Sequence, residues 1–379
     1  VVAAALPDRR TGENARYRIE DIALSAFAVF FTQCPSFLSF QRAMAQARGC
    51  DNAHSLFQVR SIPCDNHIRQ TLDPVEPANL FGLFDDLHQG FEEAGLLEAM
   101  RAIGRTRLIA LDATWYYSSQ SKNIHCPNCS CIRHNDGQVT HFHSAITPVI
   151  VSPGHRQVVP LRPEFIIPQD GQLKQDCEIN AAKRWLAAHA ERYSTGNETL
   201  LGDDLYAHQP FCRQALLHGF HFLFTCKPAS HPHLSGWVEG LEEGRGRHTL
   251  KERVKGKSNR WEHHQYRWAN GVPLTEGQDA LKVNWCELTI TDAQGQVLYR
   301  NSFITDWKID AQNVAGLVAA GRARWKIENE NNNVLKTKGY HLEHNFGHGK
   351  KHLASLLLTL NLLAFGLHTL LEVADQSYR

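Results

Sequence analysis

The chain carries, at residues 108–114, the sequence Leu108-Ile109-Ala110-Leu111-Asp112-Ala113-Thr114. Four consecutive apolar residues predict a buried β-strand, and this strand ends at a carboxylate. A second apolar run, Leu200 to Gly202, ends in the same way at Asp203. An acidic side chain at the end of a buried strand is costly unless it is paired, hydrogen-bonded or bound to a cation. Each Asp alone could be an ordinary turn or N-cap residue, but two such sites together favour a shared charged site.

The pattern around these strands predicts an α/β fold with a mixed sheet. Strand, long hairpin, strand, helix, strand, helix and strand follow one another, with the helices at Cys177 to Tyr193 and His208 to Leu217. Four parts are predicted: a helical N-terminal domain (1–104), the first part of the core (105–230), a β-rich insertion (231–302), and a helical completion of the core (303–379).

The third candidate ligand lies in Arg322-Ala323-Arg324-Trp325-Lys326-Ile327-Glu328-Asn329-Glu330, early in a predicted helix. Three carboxylates from two strands and one helix suit a pair of Mg²⁺ ions, or Mn²⁺ in their place. Two such ions would clamp the attacking and leaving oxygens of a displacement at phosphorus. The alternative is an ordinary helix ion pair between Arg324 and Glu328, which are spaced i, i+4.

These residues resemble the DDE transposases of bacterial insertion sequences, specifically the "insertion sequence four"-like group with a ribonuclease-H-like core. That family places one Asp after the first core strand, a second in an Asp-x-x-Tyr/Phe context, and a Glu four residues after an Arg. Here Asp112, Asp203 with Tyr206, and Arg324 with Glu328 fit those positions. The resemblance covers roughly residues 105–373 and also implies the β-rich insertion between the second Asp and the Glu.

Two positions depart from the family motif. Its Tyr falls on Gly321, which argues against a hairpin intermediate, and its Lys falls on Leu335, with Lys336 one residue later. This one-residue slip makes Glu330 a competitor of Glu328, which the Arg spacing nevertheless favours.

The resemblance implies metal-dependent cleavage of double-stranded DNA at element ends and transfer of the 3′ hydroxyl into target DNA. It further implies a homodimer on DNA in the bacterial cytoplasm, associated with the nucleoid when bound. The helical domain (1–104) would then supply dimer contacts or DNA-end contacts. Asp204 is a second choice to Asp203. Two alternatives stay open: a catalytically inactive DNA-binding remnant of a transposase, and a zinc hydrolase. The residues expected to contact phosphates near the cut are Arg322, Arg324 and Lys336.

A Cys- and His-rich hairpin is predicted at residues 122–143. Three Cys within six residues, with a His three further on, can close a tetrahedral structural zinc site. Free thiols in a reducing cytoplasm are the alternative, since the other seven Cys are scattered without pairing signals. The predicted zinc ligands are Cys126, Cys129, Cys131 and His134.

Charge is distributed unevenly along the 379 residues. Lys and Arg number 40 against 39 Asp and Glu, a balance that at first argues against a nucleic-acid partner. However, the first 104 residues contain no Lys, whereas residues 245–260 carry seven basic side chains against one acidic. This run has Trp residues nearby and predicts DNA contacts, with a solvated loop as the alternative. Its members are Arg245, Arg247, Lys251, Arg253, Lys255, Lys257 and Arg260.

Two segments near the end of the chain remain. Tyr340 to Lys350 is rich in His and Gly and could be a second metal site or a phosphate-contacting loop, but a structural link to the following helix is the preferred prediction. Leu353 to Leu371 has 19 residues without a formal charge, which is the length of a membrane span. It contains Asn361 and His368 and is the only such run in a polar chain, so we expect a buried core helix and no membrane partner. Val1 to Leu6 does not resemble a secretory signal.

Overall fold

The computed structural model describes every residue except 122, 123, 125, 127, 169–175, 194–197, 257–259, 376, 377 and 379. The α-helices are α1 Ile19–Phe31, α2 Phe37–Met44, α3 Ala47–Phe57, α4 Asp65–Leu72, α5 Gly82–Glu93, α6 Leu96–Ala99, α7 Glu178–Tyr193, α8 Gln209–Leu217, α9 Pro232–Glu239, α10 Val314–Arg322, α11 Asn333–Thr337 and α12 Leu353–Ala374. The strands are β1 Arg107–Ala110, β2 Ala113–Ser119, β3 Ser130–Arg133, β4 Val139–Ile146, β5 Val149–Val151, β6 Val159–Pro160, β7 Glu164–Ile166, β8 Glu198–Gly202, β9 His221–Thr225, β10 His248–Lys255, β11 Trp261–Pro273, β12 Lys282–Thr291 and β13 Val297–Thr305.

Nine strands form the main sheet, in the order β10-β11-β12-β13-β9-β8-β1-β5-β6. Strands β1, β8 and β9 run parallel to one another, and the other neighbours are antiparallel. The central strands are apolar almost throughout because helices cover both of their faces. The predicted mixed α/β fold is therefore confirmed.

A smaller sheet continues from the main one. It contains β2, β4 and β3, and β7 pairs with β4. Only Leu111 and Asp112 separate β1 from β2, and Thr147 and Pro148 separate β4 from β5. The Thr147 amide donates to the Asp112 carbonyl (3.2 Å) at this crossing point. The long hairpin thus passes from one sheet to the other at Asp112.

The predicted insertion is continuous with the core sheet. Its last strand, β13, pairs with β9 through Phe303, Ile304 and Thr305, so β10 to β13 extend the sheet outward to an exposed edge at β10. The segment predicted as a separate β-rich part therefore shares one sheet with the strands that carry the acidic residues.

The N-terminal helices pack against the C-terminal helix. Helices α1, α4 and α5 contact α12, and the ring of Phe30 packs at 4.9 Å on that of Phe346, just before α12. Helix α12 is long and apolar enough to cross a membrane, but 83% of its most apolar window is buried inside the protein. That burial favours the core helix that its Asn and His residues predict.

Candidate functional site

Asp112 lies at the bend between β1 and β2, where the two sheets meet. The side chain is largely buried, and burial is the main reason that its pKa rises to about 7. The negative charge of Glu178 raises this pKa further, Arg324 lowers it, and Glu328 and Asp203 raise it. The predicted carboxylates are therefore near enough to Asp112 to act on its charge.

Asp203 and Asp204 are adjacent in sequence but have different surroundings. Asp203 follows β8, accepts a hydrogen bond from the Leu205 amide (2.9 Å), and contributes to the raised pKa of Asp112. Asp204 accepts from the Lys227 amide (2.6 Å) and lies 3.5 Å from His231 Nε2. The Asp204 carboxylate thus already has partners in Lys227 and His231, which favours Asp203 for the acidic site.

Glu328 and Glu330 lie in a π-helical stretch, Ile327–Asn332. Glu328 bonds to Arg324 (2.9 Å), and its negative charge raises the pKa of Asp112. The charge of Glu330 instead raises the pKa of Lys326. Single π-turns are rare, and they frequently mark functional sites. Of the two competing carboxylates, Glu328 is therefore the one whose charge raises the pKa of Asp112.

The π-helical stretch precedes Lys336, the predicted phosphate contact. A π-turn bonds i to i+5 and so accommodates one more residue than an α-turn. After this stretch, Leu335 is fully buried, whereas Lys336 is partly exposed. Lys336 Nζ lies 3.1 Å from Glu343.

Asn332, at the end of the π-helical stretch, connects it to the sheet bend. Its Nδ2 lies 3.5 Å from Asp112 Oδ2, and its Oδ1 accepts from the Thr147 hydroxyl (3.1 Å). Asn331 is fully buried beside it and donates to Thr147 (3.4 Å). These amides hold the helix that carries Glu328 over the end of β1.

Glu178 is a fourth carboxylate in this cluster that the sequence analysis missed. It is the first residue of α7, and it accepts a 2.5 Å hydrogen bond from the hydroxyl of Tyr206, which is fully buried. Burial is the first cause of the raised pKa of Glu178, and the charge of Asp203 adds to it. The Asp-x-x-Tyr motif already singled out Tyr206. However, no local sequence pattern around Glu178 indicates that Glu178 is the partner of Tyr206.

The departure at Gly321 has a steric cause. A Cβ at this position would lie 2.7 Å from the Phe303 ring, closer than real Cβ contacts allow. Since Gly321 is buried in α10 against β13, a Tyr side chain has no space there. Next to it, Arg322 is exposed and lies over the Tyr299 ring at 4.6 Å.

Part of the basic run forms an exposed row on β10, the edge strand. Alternate residues of a strand share a face, so Lys251, Arg253 and Lys255 point the same way. Arg253 stacks on the Trp261 ring at 4.3 Å, and Lys255 Nζ lies 5.9 Å from it. Arg260 is exposed next to this ring. The row combines cations with an aromatic side chain that is 42% exposed.

The remaining members of the run are placed differently. Arg247 is only 17% exposed and bonds to Glu239 (3.1 Å) and Glu243 (3.2 Å), so its charge is already neutralised within the protein. Arg245 is exposed and pairs with Glu242 (3.2 Å). Lys257 lies outside the described residues. The predicted run is therefore not one uniform basic surface.

Cys126 and Cys129 converge with two His residues. The four ligand atoms of Cys126, Cys129, His143 and His348 all lie within 4.8 Å of one another. His143 comes from β4, and His348 comes from the His- and Gly-rich segment before α12. Neither His143 nor His348 was among the predicted zinc ligands.

The cluster thus differs from the predicted zinc set in two of its four members. Cys131 is fixed in the β3 ladder opposite His141, and His134 lies beyond the end of β3, where its Nε2 contacts the Thr140 hydroxyl (2.8 Å). The ladder pairing holds β3 against β4, so His134 is carried away from the turn that bears Cys126 and Cys129.

Two exposed tryptophans lie close in sequence to the acidic residues. Trp115, three residues after Asp112, is 43% exposed and stacks on Phe142 at 4.3 Å. Trp325, three residues before Glu328, is 53% exposed. Exposed aromatic rings give nucleic-acid bases a surface on which to stack.

Comparison with known proteins finds similarity among solved structures. No protein-family model matches the chain, and no curated protein matches it in sequence. Among solved structures, the chain is similar to the piggyBac transposase in its synaptic complex with hairpin DNA, determined by cryo-EM. The identity is 7% and the TM-score is 0.45, over 99% of this chain and 70% of that one. An overlap this loose does not decide function, which is inferred below from the site residues alone.

Proposed function

We propose that the protein is a DDE transposase, which cuts DNA at the ends of a mobile element and joins the freed 3′ hydroxyl to target DNA. The observation that carries the proposal is the electrostatic environment of Asp112 at the end of β1. Burial raises the pKa of Asp112 to about 7, and the negative charges of Glu178, Glu328 and Asp203 add to the increase. A divalent cation would remove the repulsion among these charges.

The donor set fits Mg²⁺ or Mn²⁺. Carboxylates are the ligands these ions prefer, and Asp112, Asp203 and Glu328 would hold two of them. Bound there, the ions would neutralise charge on the attacking and leaving oxygens of the phosphodiester. Glu178 adds a fourth carboxylate, which Tyr206 orients.

The protein's own cations would position the DNA strand. Arg324 already bonds Glu328 and lowers the pKa of Asp112, and Lys336 follows on α11. Arg322 is exposed two residues before Arg324. These side chains would contact phosphates on either side of the cut, so the rate would come from positioning and electrostatics without a covalent protein intermediate.

The finer assignment to the ribonuclease-H-like, "insertion sequence four"-like group is part of the proposal. It is supported by the antiparallel strands β5 and β6 on one side of β1 and the parallel strands β8 and β9 on the other. It is also supported by the four added strands between Asp203 and Glu328, which extend the sheet. Double-stranded DNA would be the substrate, and two element ends would require a homodimer.

The test uses a labelled DNA duplex that carries the terminal repeats bordering the coding region. Asp112→Asn and Asp203→Asn should reduce Mg²⁺-dependent cleavage at least about 100-fold, while DNA binding in Ca²⁺ stays close to wild type. Asp204→Asn is the matched control and should retain cleavage. Loss of binding with cleavage spared would contradict the proposal.

The alternative is a transposase-derived protein that binds DNA without cutting it. The buried Gly321 favours this reading only weakly, because it removes the family's Tyr and leaves the carboxylates in place. Wild-type protein that binds the terminal repeats tightly but shows no nicking with either Mg²⁺ or Mn²⁺ would establish the alternative.

A further inference from the structure

We infer that Cys126, Cys129, His143 and His348 form a structural zinc site that fastens the Cys hairpin to the segment before α12. The inference does not depend on the proposed transposase activity. Cys129 Sγ lies 3.0 Å from His143 Nε2 and 3.2 Å from His348 Nε2, and the two Nε2 atoms lie 3.2 Å apart. Cys126 Sγ lies 3.6 Å from His143 Nε2. Ligands on one tetrahedral zinc ion are separated by about 3.3 to 3.8 Å, so these atoms would need to move apart by only about 0.1 to 0.3 Å to bind zinc.

Both imidazoles are oriented as zinc ligands. His348 Nδ1 lies 2.8 Å from the Gly349 carbonyl, which can only accept, so Nδ1 carries the proton and Nε2 presents its lone pair to the cluster. His143 Nδ1 contacts the hydroxyl of buried Tyr116 (3.2 Å), which in turn contacts Ser355 (2.9 Å). Such partners on the second ring nitrogen fix the orientation of zinc-binding His residues.

The Cys pair has the geometry of a zinc turn. The Cys129 amide donates to the Cys126 carbonyl (3.3 Å), which closes the turn, and the Asn128 amide lies 3.4 Å from Cys126 Sγ. Two sulfurs and two ring nitrogens with lone pairs facing one point repel each other unless a cation or protons lie between them. Because four protein ligands fill the tetrahedron, the site is closed and suits structure rather than hydrolysis.

The segment that supplies His348 is also held from the N-terminal helices. Arg69 donates to the Phe346 carbonyl (2.8 Å), and Asp73 accepts from the amides of Lys350 and Lys351 (each 3.0 Å). A Cβ at Gly349 would lie 2.1 Å from the Asp73 carboxylate, so only glycine permits this approach. Zinc would therefore join three parts of the chain: the helical domain, the hairpin of the small sheet and α12.

The experiment is a metal analysis of the full chain, purified without chelator or added metal. We expect about one zinc per chain, and replacement by Co²⁺ should give the visible absorption of a tetrahedral thiolate site. Cys129→Ser and His348→Gln should lose the metal. The matched controls are Cys131→Ser and His134→Gln, which should keep it.

Each outcome decides the inference. Zinc-free folded wild type without a cobalt spectrum would overturn it, as would equal zinc loss in the control variants. If Cys129→Ser does not fold, wild-type protein treated with a thiol-modifying mercurial should release about one zinc per chain, measured with a chromogenic chelator. Absence of that release would also overturn the inference. Neither readout involves DNA cleavage, so it can fail or succeed separately from the proposed function.

Discussion

The acidic cluster and the Cys and His cluster are both assembled from distant parts of the chain, yet they differ in how complete they are. In the Cys and His cluster, four ligand atoms face one point and each imidazole is backed by a hydrogen bond. In the acidic cluster, burial and the neighbouring carboxylates raise the pKa of Asp112, and the exposed Trp325 is only three residues from Glu328. A closed ligand set serves to hold the structure together, whereas a repelling and accessible set is ready to accept ions and a substrate.

The largest expected effect separates the two clusters by their chemistry. Glu328→Gln should reduce Mg²⁺-dependent DNA cleavage about 1,000-fold, because it removes a carboxylate that would hold the ion acting on the phosphate. Its zinc content should not change. Glu330→Gln is the matched control and should cleave at close to the wild-type rate. A cleaving Glu328→Gln variant together with an inactive Glu330→Gln variant would reassign the ligand.

The second effect is a pH dependence that the acidic cluster alone should show. The pKa of Asp112 is raised to about 7 in the folded protein, so folding favours the protonated carboxyl. The corresponding stability is fully present below the unfolded pKa, near about 4, and is lost as the pH rises through about 7. Without divalent cations, the free energy of unfolding should therefore fall by about 4 kcal/mol across this window.

Urea unfolding at several pH values, in buffer without divalent cations, measures this slope. Asp112→Asn should flatten it, and Mg²⁺ should stabilise the wild type more at pH 8 than at pH 5.5, since the ion needs the ionised carboxylate. An identical slope in wild type and Asp112→Asn would show that the repulsion seen around Asp112 does not govern stability.

A smaller effect should show which side of the acidic cluster receives DNA. Trp325→Ala and Trp115→Ala should each weaken binding of the DNA duplex about tenfold, because stacking on a base contributes about 1 to 3 kcal/mol. The comparison variant is Trp237→Ala, which is similarly exposed but lies on α9, remote in sequence from the carboxylates. Equal losses in all three variants would indicate a non-specific effect on folding.

The smallest effect concerns the basic row on β10. Arg253→Gln should reduce the dependence of log binding constant on log salt by about one, because an exposed phosphate contact is lost. Arg247→Gln should leave that slope unchanged, since Glu239 and Glu243 already neutralise Arg247. Fluorescence anisotropy between low and moderate salt measures both. A change for Arg247→Gln alone would mean that the ion-pair network opens on DNA.

Much of the acidic cluster could be predicted from local sequence. An apolar run that ends in Asp places the carboxylate at a strand end, and parallel neighbours bring Asp112 and Asp203 to the same edge. The four-residue spacing between Arg324 and Glu328 favoured Glu328 over Glu330 as the third carboxylate. Glu178 could not be predicted, because its role depends on where Tyr206 points after α7 packs on the sheet.

The sequence by itself determined the mixed α/β fold, the strand ends at Asp112 and Asp203, and the turn that pairs Cys126 with Cys129. These features depend on residues next to one another in the chain. Only the tertiary structure decided that His348 completes the second cluster and that the charge of Glu178 acts on Asp112. It also decided that Arg247 is neutralised within the protein. Such features depend on packing between segments up to 219 residues apart, which no local pattern encodes.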